Sequence, residues 1–273
     1  MTPFGERVPP ALRGGPLLIA HRGGSALAPE NTMPAFLAAV ERWESDMIEL
    51  DVHASADGRC MVIHDPTVDR TTEGTGAVAA MTHAELARLD AGYRFTTDGG
   101  LTFPFRGQGI GVPTLDEVLD ALPQTRFTVE VKDGRAQAAM LEILHERGAE
   151  ERVVIAGMRI RDRTLFRRWS GAISGAVPEV RRFYILFRCG LGAVAPIRSD
   201  VYQVPEHQGR VRLVTPAFIR TLARRNVPVH VWTVDEVDDM RRLLEWGVDG
   251  IVTDRPDRLA ELLAERGQRR GVE

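Results

Sequence analysis

Residues 17–53 read LLIAHRGGSALAPENTMPAFLAAVERWESDMIELDVH, and their patterning decides the fold. Two short apolar runs, Leu17–His21 and Met47–His53, flank a segment of helical period, Thr32–Trp43. In that segment Phe36, Ala39, Val40 and Trp43 recur at i, i+3, i+4 and i+7 behind a capping Thr32. The order is strand, helix, strand, and it continues along the chain. Strand candidates follow at Phe127–Lys132, Val153–Gly157, Ala172–Val177, Val201–Val204, Val229–Val234 and Gly250–Thr253, eight in all. Helix boundaries are marked between them. Thr114-Leu-Asp-Glu117 has capping-box spacing, Thr215-Pro216 sets a hydroxyl ahead of a first-turn proline, and Val237–Trp246 ends at Gly247.

Strands alternating with helices predict a parallel sheet, and eight of them predict closure into a TIM (β/α)8 barrel over an open sheet. The alternation is interrupted once. Cys60–His64 forms an extra strand after the Asp57-Gly58 turn, and a polar stretch at about 66–112 follows, with one short helix around His83–Leu89. It reads as a small insertion after the second strand, too small to be an independent core domain, so residues 1–273 are expected to form one barrel domain.

With 44% hydrophobic and 27% charged residues the 273-residue chain has a core-forming composition. Its net charge of −3 and pI near 6.2 give no global positive field, so no nucleic-acid partner is predicted. The run Leu17–Ala20 is too short for a secretory apolar region, and Gly190–Ile197 is broken by Gly192 and Pro196. A cytoplasmic protein without a transmembrane segment is therefore expected. Phe183–Ile197 reads as a barrel helix over a lipid-facing surface, and Arg266–Glu273 as a fraying tail. Cys60 and Cys189 are too few and too far apart for a disulfide framework, and both are expected to be buried thiols.

Glu49 and Asp51 stand two apart on an apolar strand, so they share a face, which in a barrel is the interior. Two carboxylates there repel unless a proton or a cation compensates, and a hard divalent cation such as Mg²⁺ or Ca²⁺ takes such oxygen ligands. Glu130, near the end of the neighbouring strand, can supply a third; the alternative is that it pairs only with Lys132, the one lysine in the chain. His21 ends the first strand and His64 the extra one, and two imidazoles at a catalytic rim can divide proton removal and proton delivery. Arg22 offers a planar donor fork for phosphate oxygens. It reaches the same site as His21 only if the strand breaks there, which Gly23-Gly24 permits. Trp232 is either core or an aromatic wall for a ligand. His53, His83, His145 and His207 lack comparable partners and read as structural or solvated.

His21-Arg-Gly-Gly, Pro29-Glu-Asn-Thr32, Ile48-Glu-Leu-Asp-Val-His53, Ile63-His-Asp65, Val129-Glu-Val-Lys132, Val231-Trp-Thr233 and Gly247-Val-Asp-Gly-Ile-Val-Thr-Asp254 together resemble the glycerophosphodiester phosphodiesterase family, in order and over nearly the whole chain. The resemblance implies a TIM barrel with an insertion after its second strand, and cleavage of glycerophosphodiesters to sn-glycerol 3-phosphate and an alcohol. It also implies Glu49, Asp51 and Glu130 as metal ligands, His21 and His64 as the acid–base pair, and Arg22 and Lys132 around the phosphate. Two departures stand out: Gly157-Met158 where many relatives carry Ser-Phe, and Asp235 where Asn is common. Both are expected to bear on the headgroup and glycerol pocket. Three other readings compete: a lysophospholipase D using the same site, a barrel that has lost catalysis, and a glycosidase. The last leaves His21, Arg22 and His64 without roles.

Overall fold

The computed structural model describes residues 8–268; residues 1–7, and 269–273 of the arginine-rich tail expected to fray, lie outside them. Eight parallel strands wind in one sense. They are β1 (Leu17–His21), β2 (Met47–Ala54), β4 (Arg126–Val131), β5 (Val153–Ala156), β6 (Ala172–Ile173), β7 (Tyr202–Pro205), β10 (Val229–Trp232) and β11 (Gly250–Thr253). Their hydrogen-bonded order is β6-β5-β4-β2-β1-β11-β10-β7. The ends of that path meet: Ser174 and Val201 form a parallel bridge, Asp200 N donates to Ile173 O at 2.8 Å and Gly175 N to Val201 O at 2.9 Å. The sheet curls into the expected barrel, with a thin seam between β6 and β7.

Alternation along each strand sorts side chains between two environments. Leu17, Ile19 and Met47 point inward with Val154, Ala172, Val201 and Val252, and Val8, Ala11 and Leu12 of the N-terminal segment pack onto that cluster. Ile48, Leu50 and Val52 point outward against α1 (Met33–Glu41), α3 (Leu115–Ala121) and α4 (Gln137–Glu146). The other side of the barrel packs α5 (Val177–Arg188), α6 (Pro216–Ala223), α7 (Val237–Trp246) and α8 (Pro256–Glu265) around Phe183, Phe218 and Met240. Each fully buried side chain of this size contributes roughly 1.5–3 kcal/mol relative to exposure.

The helix starts follow the expected chemistry. Thr32 accepts from Ala35 N, Thr114 and Glu117 form a capping box, Thr215 accepts from Phe218 N, and Gly247 closes α7 at φ 86°. Several expectations need correction. Ala172–Val177 is strand only over its first two residues, because Pro178 fits the first turn of α5 and draws Val177 into that helix. Between β5 and β6 stands a kinked 3₁₀ segment, Ile160–Arg168, in place of an α-helix. Trp43 falls beyond the end of α1. Cys60 is buried, but Cys189, the C-cap of α5, is exposed.

β3 (Cys60–Val62) pairs antiparallel with β2. The insertion that follows holds a four-residue helix, α2 (His83–Leu86), and a small cluster of Met61, Ile63, Val68, Val78, Leu86, Ala91 and Val112. A two-stranded ribbon, β8 (His207–Gln208) with β9 (Val211–Arg212), follows β7. No helix among the described residues is long and apolar enough to cross a membrane.

Candidate active site

Register brings the carboxylates together. His21 pairs with Glu49 across β1 and β2, and Asp51 with Glu130 across β2 and β4, so all four stand toward the C-terminal ends of adjacent parallel strands. One oxygen each from Glu49, Asp51 and Glu130 falls within 4.8 Å of the others. Glu49 and Asp51 are buried, on the inward face beside Met47.

The compensation these charges receive is uneven. Asp51 has Lys132 Nζ at 3.1 Å, Arg22 Nε at 3.2 Å and Asn31 Nδ2 at 3.0 Å. Burial alone would raise its pKa, but Lys132 and Arg22 outweigh that and hold the carboxyl below its ordinary range. Among the described residues Glu49 receives only the Arg22 backbone N–H at 3.2 Å, with His21 Nε2 at 3.8 Å. Burial, reinforced by the charge of Asp51, pushes its pKa well up. Glu130 Oε2 takes Lys132 Nζ at 2.8 Å, while its Oε1 is buried with no hydrogen-bond partner among the described residues. Lys132 thus bridges two carboxylates where it was expected either to pair with one or to face phosphate.

The chain leaves β1 by a sharp turn. Arg22 is left-handed at φ 50°, and Gly23 follows at φ 85°, where an added Cβ would stand 2.8 Å from Ala35 Cβ. This break brings His21 and Arg22 to one site, as the glycines permitted. Arg22 is not a free fork, however: Nη1 donates to Glu30 at 3.0 Å, and Nε, buried and without a hydrogen bond among the described residues, stands 3.2 Å from Asp51, leaving Nη2 as the end without a partner among those residues.

Both imidazoles are oriented by carboxylates. His21 Nδ1 lies 2.6 Å from Asp254 Oδ1, which leaves Nε2 toward Glu49. Burial lowers the His21 pKa, but the Asp254 hydrogen bond and the charge of Glu49 outweigh it and the net shift is upward. His64 Nδ1 lies 2.6 Å from Asp65 Oδ1, and its carbonyl accepts from His53 Nε2 at 3.0 Å. His53, expected to be structural or solvated, is buried against the backbone that carries His64. Beneath the carboxylates Gln203 donates to Thr128 Oγ1 at 3.0 Å and stands 3.5 Å from Nδ1 of His230, a fully buried imidazole that burial pushes down to about 3.

The three carboxylates, His21, His64 and Gln203 line a cavity of about 610 Å³, as does Trp232. Met158, Val177, Val180, Tyr184 and Leu213 also line it, with Arg181 and Gln208 among them. Gly157-Met158 does line the pocket, as expected of a departure near the headgroup. Asp235 does not: it accepts from Thr253 Oγ1 at 2.9 Å and from Asp254 N at 2.8 Å, and so seats the residue that orients His21. Sequence reasoning missed the roles of Asp254, Asp65, Asn31 and Glu30. For Asp65 the signal was its position directly after a strand-end histidine; Asp254 lies 233 residues from the ring it holds.

Over residues 21–258 the chain matches the model of the Glycerophosphoryl diester phosphodiesterase family. It belongs to that family. The glycerophosphodiester phosphodiesterase of Caldanaerobacter subterraneus is 36% identical over 265 residues, which cover 92% of this chain and 99% of that protein. Among solved structures, the glycerophosphoryl diester phosphodiesterase domain of Rv2277c from Mycobacterium tuberculosis superposes with a TM-score of 0.79 at 22% identity, covering 92% of this chain and 99% of the other. A phosphodiesterase from Oleispira antarctica, solved in complex with the product sn-glycerol-3-phosphate, superposes with a TM-score of 0.72 at 21% identity, covering 91% and 97%. These two likenesses confirm the barrel fold. The chain is accordingly an enzyme of the phosphoric diester hydrolase class.

Proposed function

We propose that this phosphodiesterase hydrolyses glycerophosphodiesters to sn-glycerol 3-phosphate and an alcohol, using one divalent cation, Mg²⁺ or Ca²⁺, held by Glu49, Asp51 and Glu130. The observation that carries the reading is the convergence of these carboxylates with too little positive charge among them: Glu49 is driven toward its protonated form and Glu130 keeps a buried, unpartnered oxygen. An all-oxygen donor set of this kind fits a hard cation. When bound there, such an ion supplies positive charge against the phosphate oxygens.

The side chains divide the remaining work. Arg22 Nη2 is the donor left for a phosphate oxygen, with the guanidinium fixed by Glu30 and Asp51. Lys132 balances Asp51 and Glu130 and adds positive charge around the phosphate. His21 and His64 act as the acid–base pair. Each has Nδ1 engaged by a carboxylate, so Nε2 is the nitrogen that moves a proton, one ring taking it from the attacking oxygen and the other giving it to the departing alcohol. Trp232 forms the wall against the glycerol moiety. The chain acts as one barrel domain, with the insertion at about 66–112 as its largest loop, in a cytoplasmic setting that its two free thiols suit.

A second reading, lysophospholipid hydrolysis in the same site, is favoured by the apolar side chains of Met158, Val177, Val180 and Leu213 that line the cavity beside Arg181 and Gln208, which suit an acyl chain. The test is release of sn-glycerol 3-phosphate from glycerophosphocholine and glycerophosphoethanolamine, and of lysophosphatidic acid from lysophosphatidylcholine in parallel, by wild type and His64→Ala. The small diesters are expected to be cleaved, with a loss on the order of 10²- to 10⁴-fold in the variant. Cleavage of the lysolipid alone would select the second reading. Cleavage of small diesters that His64→Ala leaves intact would contradict the acid–base assignment.

A further inference from the structure

A continuous line of charge-assisted contacts runs from His64 to the acidic cluster by way of the insertion. His64 Nδ1 lies 2.6 Å from Asp65 Oδ1, and the other Asp65 oxygen accepts from Arg70 Nε at 2.6 Å. Arg70 Nη1 and Nη2 donate to the two oxygens of Glu30, each at 2.7 Å. Glu30 Oε1 also accepts from Arg22 Nη1 at 3.0 Å, and Arg22 Nε stands 3.2 Å from Asp51 Oδ2. Asp65 and Arg70 follow β3, whereas Arg22 and Glu30 lie between β1 and α1, so Arg70 is the one link between the two connections in this line.

The side chain of Arg70 is 48% exposed, and an isolated pair at such a site contributes little to stability. Its geometry serves another purpose. All three of its nitrogens are engaged, by carboxylates from two directions, an arrangement that the planar guanidinium matches and a lysine ammonium does not. Each carboxylate it holds fixes one group at the cavity. Asp65 keeps the proton of neutral His64 on Nδ1 and so leaves Nε2 free; Glu30 holds Nη1 of Arg22 and so directs the remainder of that fork.

We propose that Arg70 is a positioning residue of the phosphodiesterase reaction, fixing the His64 ring through Asp65 and the Arg22 guanidinium through Glu30. This rests on the roles given above to His64 and Arg22. The test compares Arg70→Met, Arg70→Lys, Asp65→Asn and the Arg70→Met/Asp65→Asn double variant with wild type and His64→Ala. Two readouts are taken: turnover of glycerophosphoethanolamine with Mg²⁺, and ¹⁵N NMR of the ring nitrogens, with His64→Ala assigning the His64 signals. Arg70→Met is expected to lose about 10- to 100-fold in kcat/KM, with kcat and KM both affected because two groups are released. Arg70→Lys is expected to recover only a minor part of that loss. The double variant is expected to lose clearly less than the product of the two single losses, because both act on His64 in series while only the Glu30 branch of Arg70 adds separately. The His64 spectrum is expected to change from a single Nδ1–H tautomer to a mixture. Turnover of Arg70→Met within about twofold of wild type, or fully multiplicative losses in the double variant, would overturn the proposal. Should His64→Ala turn over like wild type, the acid–base reading falls on its own. The ring-nitrogen spectrum then still decides the positioning: a His64 signal unmoved in both Arg70 variants overturns it, and a shifted one supports it.

Discussion

Glu49 is the residue on which the electrostatics of the site turn. It is buried beside Asp51 and, among the described residues, has no close ion pair with the lysine and arginine that Asp51 contacts, so ionising it costs folding free energy until a cation arrives. Its folded pKa lies above the ordinary 4.5, so between the two values the native state holds a proton that the unfolded state has lost. Stability contributed by that proton is present below 4.5 and falls as pH rises through the folded value. His21, also shifted upward, adds a loss of the same sign at higher pH, whereas Asp51, shifted downward, loses its contribution only as pH falls. In chelator, then, Glu49→Gln is expected to be more stable than wild type at neutral pH by on the order of 1–2 kcal/mol, the gap closing toward acid. With saturating Mg²⁺ or Ca²⁺ the order is expected to reverse. Urea unfolding with and without cation measures both, and a variant less stable than wild type in chelator would contradict this charge account.

At the scale of elements, the barrel is a set of strand ends whose loops carry the chemistry. Glu49, Asp51 and Glu130 were legible because a strand has period two and an apolar one with two carboxylates on a single face needs an explanation. The contact that orients His21 was not legible, since it joins the end of β1 to the end of β11, nor was the link from the insertion to the connection before α1; only Asp65, directly after His64, left a local signal. The loop after β11 yields a direct prediction. Asp254→Asn preserves shape but offers the His21 ring an amide in place of a carboxylate, destabilising its cationic form and freeing its tautomer. A loss in kcat on the order of 10²- to 10⁴-fold is expected, with the folding midpoint little changed. A rate equal to wild type would show that His21 does not need this partner. The connection between β5 and β6 resisted reading for a different reason: Ile160–Arg168 is rich in arginine, takes the 3₁₀ form, and buries only Asp162 and Phe166.

The whole molecule is a barrel of unequal strength. Between β2 and β4 six residue pairs are in register, whereas β6 and β7 meet through the single bridge of Ser174 and Val201. Eight strands could be counted from apolar runs, but β6 keeps only Ala172–Ile173 before α5 begins at Val177, a competition between helix start and strand that periodicity does not weigh. Amide hydrogen exchange is expected to be faster at Ile173, Ser174 and Val201 than at Ile48–Val52 by about a factor of ten or more. Equal protection would mean that the barrel opens as one unit. The central claim, that the three carboxylates hold the cation on which cleavage depends, is tested most directly by following sn-glycerol 3-phosphate release from glycerophosphoethanolamine against free Mg²⁺ for wild type and Glu130→Gln. Wild type is expected to be silent in chelator and to saturate with cation, and the variant to need at least about tenfold more cation. Full activity in chelator, or superimposable curves for the two proteins, would contradict the claim.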